Sequence, residues 1–503
     1  AVLAAGMLIG AAWLVNPLLA ALSVWLVYRV ALGLYGPRTA LASAVAWSLS
    51  AWVLFMSASF MNHVSATAFA LAAWAVLLGP RFARRGHAVV AGFLLAACAA
   101  TRPLDAVAAA VPLAIWAARD RRWRLAPWGL LGAVPVLVAW GWVNTVQWGS
   151  PLLLGYSVLY GSEHGLGFHM DPYGELFTPA VALSNAAMAV RRLYIYLYET
   201  PIPVLALLGV WAAVARHRHR SDQILLAGIV ATPALYFFYW HSGFLFGPRF
   251  YYGAVPWFAI GMARSASWLW MRARRASPAL GLRGATAGAG AVVVLWSVFG
   301  MVPDRFAIYR DSFPTFKRHP EVALLASGIR RAVVFVPESW GSRTVATLWS
   351  LGAQPGLVER VYRKVDACDL ANLVARVRTE HLTAAALDDT LERFAALEMP
   401  APPVRDWPDR TLRLRPRQSL PVNCRVELER DQAGFTVFGN LAWLDAVGLD
   451  RGIVFARDLY DQDPELLNRY AGWPVFRYAP PAGRPDALPV LTLLKAESQR
   501  APQ

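Results

Sequence analysis

The residues of this 503-residue chain that could do chemistry are few and lie far apart. Arg249 sits within residues 240–252, WHSGFLFGPRFYY, together with His241, Tyr251 and Tyr252. A planar guanidinium donates two parallel hydrogen bonds at once, which suits a phosphate. An imidazole and two phenols nearby could add further hydrogen bonds. The same composition also fits an aromatic belt at a membrane surface, with Arg249 reaching up to lipid headgroups.

Three other stretches carry polar groups between apolar ones. In SASFMNHVSA the strongest are Asn62 and His63, where a lone His is ordinarily just solvated. In TRPLD, Pro103 breaks a helix between Arg102 and Asp105, two charges that either pair to fix the break or serve a site. The connection 148–200 is long enough to be functional and carries Tyr156, Tyr160, His164, His169 and Asp171 among glycines and aromatics. Aromatic faces with a few carboxylates suit sugar rings. Glu163, His164, His169 and Asp171 could also ligate a metal, although their spacing fits no standard motif, and the whole segment could be an external cap without chemistry. Cys98 falls in an apolar run, while Cys368 and Cys424 are either a disulfide or two free thiols.

Positioning these residues falls to long apolar blocks. The chain is 57% hydrophobic, with a mean hydropathy of +0.39, and ten runs are long enough to enter a bilayer. They lie near 8–30, 39–57, 65–80, 87–101, 104–118, 126–147, 201–215, 223–240, 251–271 and 284–302. Several have about 15 residues, and short or broken helices leave cavities open to one side. The expected fold is an α-helical polytopic membrane protein of about ten transmembrane helices over 1–303, followed by a soluble α/β domain over 304–503. Within 148–200, residues 179–198 have the spacing of an interfacial amphipathic helix. In the soluble domain, strands are expected near 332–336, 411–415, 452–457, 474–478 and 489–494, with a helix near 461–471.

Charge gives an orientation. Residues 1–303 hold 21 Lys and Arg against 7 Asp and Glu, whereas 304–503 hold 27 against 25. Sixteen of the membrane-part arginines fall in alternate connections, while the opposite short ones hold Arg102 and Arg249 alone. The basic set belongs inside, so 148–200 and 304–503 belong outside. The excess charge is thus a topology signal rather than a nucleic-acid surface. By the same parity residue 1 starts outside, from which we expect an upstream helix and external loop. No Walker A loop and no nucleophile motif occurs, which argues against an ATP-driven pump. No inverted repeat is evident, which weakens a secondary transporter.

With those residues laid out, the chain resembles the GT-C superfamily of membrane glycosyltransferases, in particular bacterial members related to protein O-mannosyltransferases and to the aminoarabinose transferase of lipid A. The stretches that carry the resemblance are VNPLLAALSVWLVYRVALGLYGPRTALASAVAWSLS, SASFMNHVSA, TRPLDA, GYSVLYGSEHGLGFHMDPYG with FTP, and GPRFYYGAVP. It implies an inverting transfer of a sugar from a polyprenyl-phosphate donor to a lipid, glycan or protein acceptor, on the extracytoplasmic face of a bacterial inner membrane. Arg249, His241, Tyr251 and Tyr252 would then face the donor phosphate. Asn62 and His63 would lie near the sugar or acceptor, and Tyr156, Tyr160, His164, His169 and Asp171 would bind or gate the sugar. Arg102 and Asp105 would be structural. The family's acidic base precedes the first run and would lie upstream of Ala1. Relatives often carry an acid where this chain has Asn62-His63, so a divalent metal is left open. The other readings are a non-catalytic membrane subunit and a transporter or flippase of lipid-linked sugars.

Overall fold

The structure is a computed structural model. It describes residues 2–78, 84–160, 165–171, 176–214, 221–241, 246–276, 280–311, 320–397, 399, 401–402, 404, 411–431, 452–460, 463–481 and 489–495. Two units make up the chain. The first comprises 1–153, 165–169 and 177–306; the second comprises 154–164, 170–176 and 307–503. The long connection 148–200 is divided between the units.

Every expected apolar run contains a helix, because Ala- and Leu-rich segments lose little side-chain entropy on coiling. Their lengths do not confirm ten spans. Among the described residues three helical stretches are long and apolar enough to cross a bilayer: Ala12–Tyr35, Trp123–Trp148 and Gly290–Tyr309. The pair Pro37–Ser48 and Ala51–Ser57, bent by 60°, makes a fourth if counted as one span. The helices His63–Leu78 and Asp222–Phe237 have 16 residues each. At 1.5 Å per residue they reach about 24 Å, short of a ~30 Å hydrocarbon core. The first run is also interrupted, since a separate helix, Val2–Leu8, precedes Ala12–Tyr35.

His63–Leu78 is apolar on all sides and buried on nearly all of them, so it forms the centre of the first unit. Trp47, Trp52, Tyr252 and Trp257 are fully buried around it, as is its own Trp74. The helix Ala126–Trp148 is the opposite case. It meets Arg85–Thr101 through glycines, where a Cβ on Gly92 would run into the Gly129 carbonyl. The rest of its surface exposes Leu130, Val138, Trp142 and Val146, an apolar face of the kind that marks an interaction surface. The expected helix over 179–198 is present as Pro179–Tyr196, capped by Thr178.

The second unit holds a four-stranded sheet in the order β2-β1-β3-β4, with β1 Ala332–Val336, β2 Ile453–Arg457, β3 Val475–Ala479 and β4 Val490–Lys495. β1 runs parallel to both β2 and β3, and β4 is antiparallel to β3. The expected strand–helix–strand unit is β2, Asp463–Arg469 and β3, with β1 lying between its strands. All five β1 residues are buried, as a central parallel strand requires. Among the described residues no strand forms at 411–415; that segment exchanges single hydrogen bonds with Pro402 and Val404, and Arg413 O accepts from Ala367 N at 2.8 Å. Cys368 and Cys424 form the disulfide, joining the helices Ala367–Thr379 and Val422–Glu429. Cys98 is a buried free thiol.

Candidate functional site

Arg102 is the hinge of the first unit's polar cluster. It ends the helix Arg85–Thr101 in an extended conformation, and Pro103 opens Pro103–Arg119 immediately after it. The break leaves Arg102 and Asp105 one turn apart. Arg102 Nε donates to Asp105 Oδ2 at 2.6 Å, and Arg102 NH2 donates to the Tyr236 hydroxyl at 2.8 Å. That hydroxyl donates to Asp105 Oδ1 at 2.7 Å, closing a triangle. Tyr236 comes from Asp222–Phe237, so the triangle ties two helices together. A 3.4 Å bond from Arg102 NH1 to Asn62 Oδ1 brings in the turn before His63–Leu78.

Phe250 is the second centre. His241 stacks on its ring at 4.4 Å and His63 meets it edge-on at 6.0 Å. Tyr236 packs at 5.3 Å, and the guanidinium carbons of Arg102 and Arg249 lie 5.4 and 5.3 Å from its centroid. Cations over an aromatic face gain from the ring quadrupole. Two arginines and two imidazoles therefore surround one ring. Burial first, then the charges of Arg249 and Arg102, push His241 down to about 4, so its imidazole is neutral at pH 7. His63 is 3% exposed, and neither of its ring nitrogens has a hydrogen-bond partner. An imidazole buried in that state has unused capacity to donate and to accept.

Of the residues singled out in the sequence, Asn62, His63, Arg102, Asp105, His241 and Arg249 come together. Tyr251 and Tyr252 make none of the described ring contacts with Phe250. Both are buried in the core, with Tyr252 between Trp47 at 6.0 Å and Trp52 at 5.5 Å. The 3-10 turn Arg249–Ala254 is the cause, since it carries successive side chains to different sides. His169 bonds to the Gly165 carbonyl, and its segment runs beside 238–239, just before His241, through Gly167 N to Phe238 O and the bridge Leu166–Tyr239. Tyr156, Tyr160 and Asp171 belong to the second unit. There the helix Gly155–Tyr160 packs on Pro355–Val361. His164 and the side chain of Tyr160 lie outside the described residues. Among the described residues no group of three His, Cys, Asp or Glu could hold a metal.

Besides Tyr236, sequence reasoning passed over two groups. Asn16, 2% exposed in the helix Ala12–Tyr35, donates to the carbonyls of Ser59 at 2.6 Å and Met61 at 3.0 Å, holding the turn that carries His63. Its Oδ1 has no partner. A lone Asn in an apolar run was the available signal. The other group is Glu199 with Arg305, a bidentate pair at 2.8 and 3.2 Å. Arg305 also donates to the Tyr196 hydroxyl at 3.0 Å. These residues are 106 positions apart, so no local pattern announced them.

No family model matches the chain, and no curated protein matches it. The chain is similar to a solved structure titled "Crystal Structure of ArnT from Cupriavidus metallidurans in the apo state", with a TM-score of 0.47 and 13% identity over 96% of this chain and 82% of that one.

Proposed function

We propose that the protein is a membrane glycosyltransferase of the GT-C type. In this reading it moves a sugar from a polyprenyl-phosphate donor to an acceptor on the extracytoplasmic face of a bacterial inner membrane. The observation that carries the reading is the convergence of His63, Arg102, His241 and Arg249 on Phe250, from three connections of a helical unit. These are residues of the same stretches on which the sequence resembles that superfamily. Dispersal over separate surfaces would have favoured a non-catalytic subunit. The Cys368–Cys424 disulfide supports an oxidising location for the second unit. The apolar face of Ala126–Trp148 supports contact with lipid.

Arg249 has the role of neutralising charge on the departing lipid phosphate, the electrostatic term such a transfer needs most. Arg102 is committed to Asp105 and Tyr236, so it holds the cluster's shape and adds positive potential. In this reading His63, whose two ring nitrogens have no partner, bonds a hydroxyl of the sugar or acceptor. His241 is neutral and stacked on Phe250, and it orients that ring.

The test is sugar release from a radiolabelled polyprenyl-phosphate sugar by the protein expressed from its full gene in membranes. Arg249→Ala is expected to lower kcat by about 10²–10³-fold, the usual loss for one preorganised donor. Full turnover without Arg249 would move the assignment to the subunit or the flippase.

A further inference from the structure

The helices His63–Leu78, Pro103–Arg119 and Asp222–Phe237 and the turn Arg249–Ala254 leave a small, largely enclosed space between them. Its volume is about 10 Å³, and its polar lining is Thr67, Asp105 and Thr232, with Gly253, Trp74 and Trp257 completing the wall. Thr67 is 3% exposed, and its Oγ1 has no hydrogen-bond partner. It does not bond back to its own helix, as buried threonines commonly do. Asp105 accepts one bond on each oxygen, from Tyr236 and from Arg102. A carboxylate has about four acceptor positions, so two are unused. A Cβ built on Gly253 would lie 3.6 Å from Thr232 Oγ1 and 4.0 Å from Asp105 Cγ, so both groups border the open side of this glycine.

We infer that this space is a binding site for one internal water molecule, which donates to the Asp105 carboxylate and accepts from the Thr67 hydroxyl, with Thr232 as a further partner. The volume is that of a single water, and the lining offers the two to four polar partners a buried water needs. An empty void of this size is expected to be apolar, and this one is not. A bare cation is disfavoured, because Arg102 already balances the charge of Asp105 and a second cation would be buried without a counterion. The water joins the helix break at 102–105 to His63–Leu78 and to the turn that begins at Arg249. It is thus a structural member of the polar cluster, and its loss would loosen the turn that positions Arg249.

Two substitutions separate a wet site from a dry one in the full chain, purified in nanodiscs. Gly253→Ala introduces a methyl at ordinary contact distance, so it fills the space without a clash. Thr67→Val removes the hydroxyl at nearly constant volume. With a bound water, each single change lowers the thermal midpoint, because each leaves hydrogen-bonding capacity unused. The double variant then loses less than the sum of the two. With a dry cavity both single changes raise the midpoint, since one fills a void and the other removes an unpaired buried hydroxyl; that result overturns the inference. X-ray radiolytic footprinting gives an independent readout on the unmodified protein. Buried Trp74 and Trp257 are expected to take up oxygen label from the adjacent water, and Gly253→Ala is expected to abolish the label. Absence of label in the unmodified protein counts against the water. A midpoint that rises with sodium but not with choline at equal ionic strength also overturns it, in favour of a cation.

Discussion

Arg102 and Asp105 are held 2.6 Å apart, Nε to Oδ2, with both side chains only 6% exposed. Attraction in a poorly solvated site is strong, but each charge pays heavily to leave water, so the pair matters most when half of it is removed. Asp105→Ala strands a buried guanidinium and is expected to destabilise the protein by about 3–5 kcal/mol. The double change Arg102→Met with Asp105→Leu is expected to cost much less than the sum of the two single changes. Thermal unfolding in detergent, arranged as a double-mutant cycle, measures the difference. Additive single effects would show that the pair is not coupled.

Gly247 makes a separate prediction. Its φ is +80°, and an added Cβ would come within 2.7 Å of Tyr196 Cδ1 and 3.1 Å of Trp52 Nε1. Gly247→Ala is therefore strained by its backbone and by its neighbours, at a cost of about 1–3 kcal/mol. The turn is further held by Trp52, whose Nε1 donates to the Phe246 carbonyl. Because Arg249 follows two residues later, turnover is expected to fall more steeply than stability when the two are measured on the same preparation. An unchanged kcat with a lowered melting point would show that Gly247 matters for stability alone.

Much of this arrangement was legible in advance, and the exceptions have physical causes. Pro103 announced the break, and the charges beside it announced the Arg102–Asp105 pair, because both signals are local. Arg249 and His241 were legible as polar groups among aromatics, but the direction of Tyr251 and Tyr252 was not. One further turn of 3-10 geometry sends Tyr251 and Tyr252 into the core, and residue type alone does not show that direction. The helix break between Leu8 and Ala12 was hidden because an apolar run reads the same with or without it. Glu199 with Arg305, and Tyr236 with Asp105, are long-range contacts, which no window along the sequence contains.

The Cys368–Cys424 disulfide closes a loop of sequence separation 56 in the second unit. Such a cross-link removes chain entropy from the unfolded state, by about 4 kcal/mol for a loop of this length. Reduction, or the paired change of both cysteines to serine, is expected to lower the unfolding midpoint of the second unit. Hydrogen exchange should show the loss first in Ala367–Thr379 and Val422–Glu429, the helices it joins. Equal protection with and without reductant would mean that the buried contacts of Leu370, Leu373 and Leu428 hold these helices unaided.

Asp458 and Asp463 give the second unit a pH dependence. Asp458 is 1% exposed at the end of β2, where its Oδ2 accepts from Arg477 Nε at 2.6 Å. Asp463 opens the next helix, and its Oδ1 accepts from Leu459 N at 3.0 Å. Burial first, then the neighbouring Asp458 carboxylate, raises Asp463 to about 7. A raised carboxyl means that the folded state holds a proton which the unfolded state, with an ordinary value near 3.8, releases. Stability is therefore fullest below about 4 and falls as pH rises towards about 7. Asp463→Asn cannot ionise, keeps an oxygen for Leu459 N and can still donate to Asp458. Its stability is expected to match the parent at low pH and to exceed it at pH 8. Hydrogen exchange of β2 and β3 at pH 5.5 and 8, corrected for intrinsic rates, reads this directly. An Asn variant that keeps the parent's pH slope would place the titrating group elsewhere in the unit.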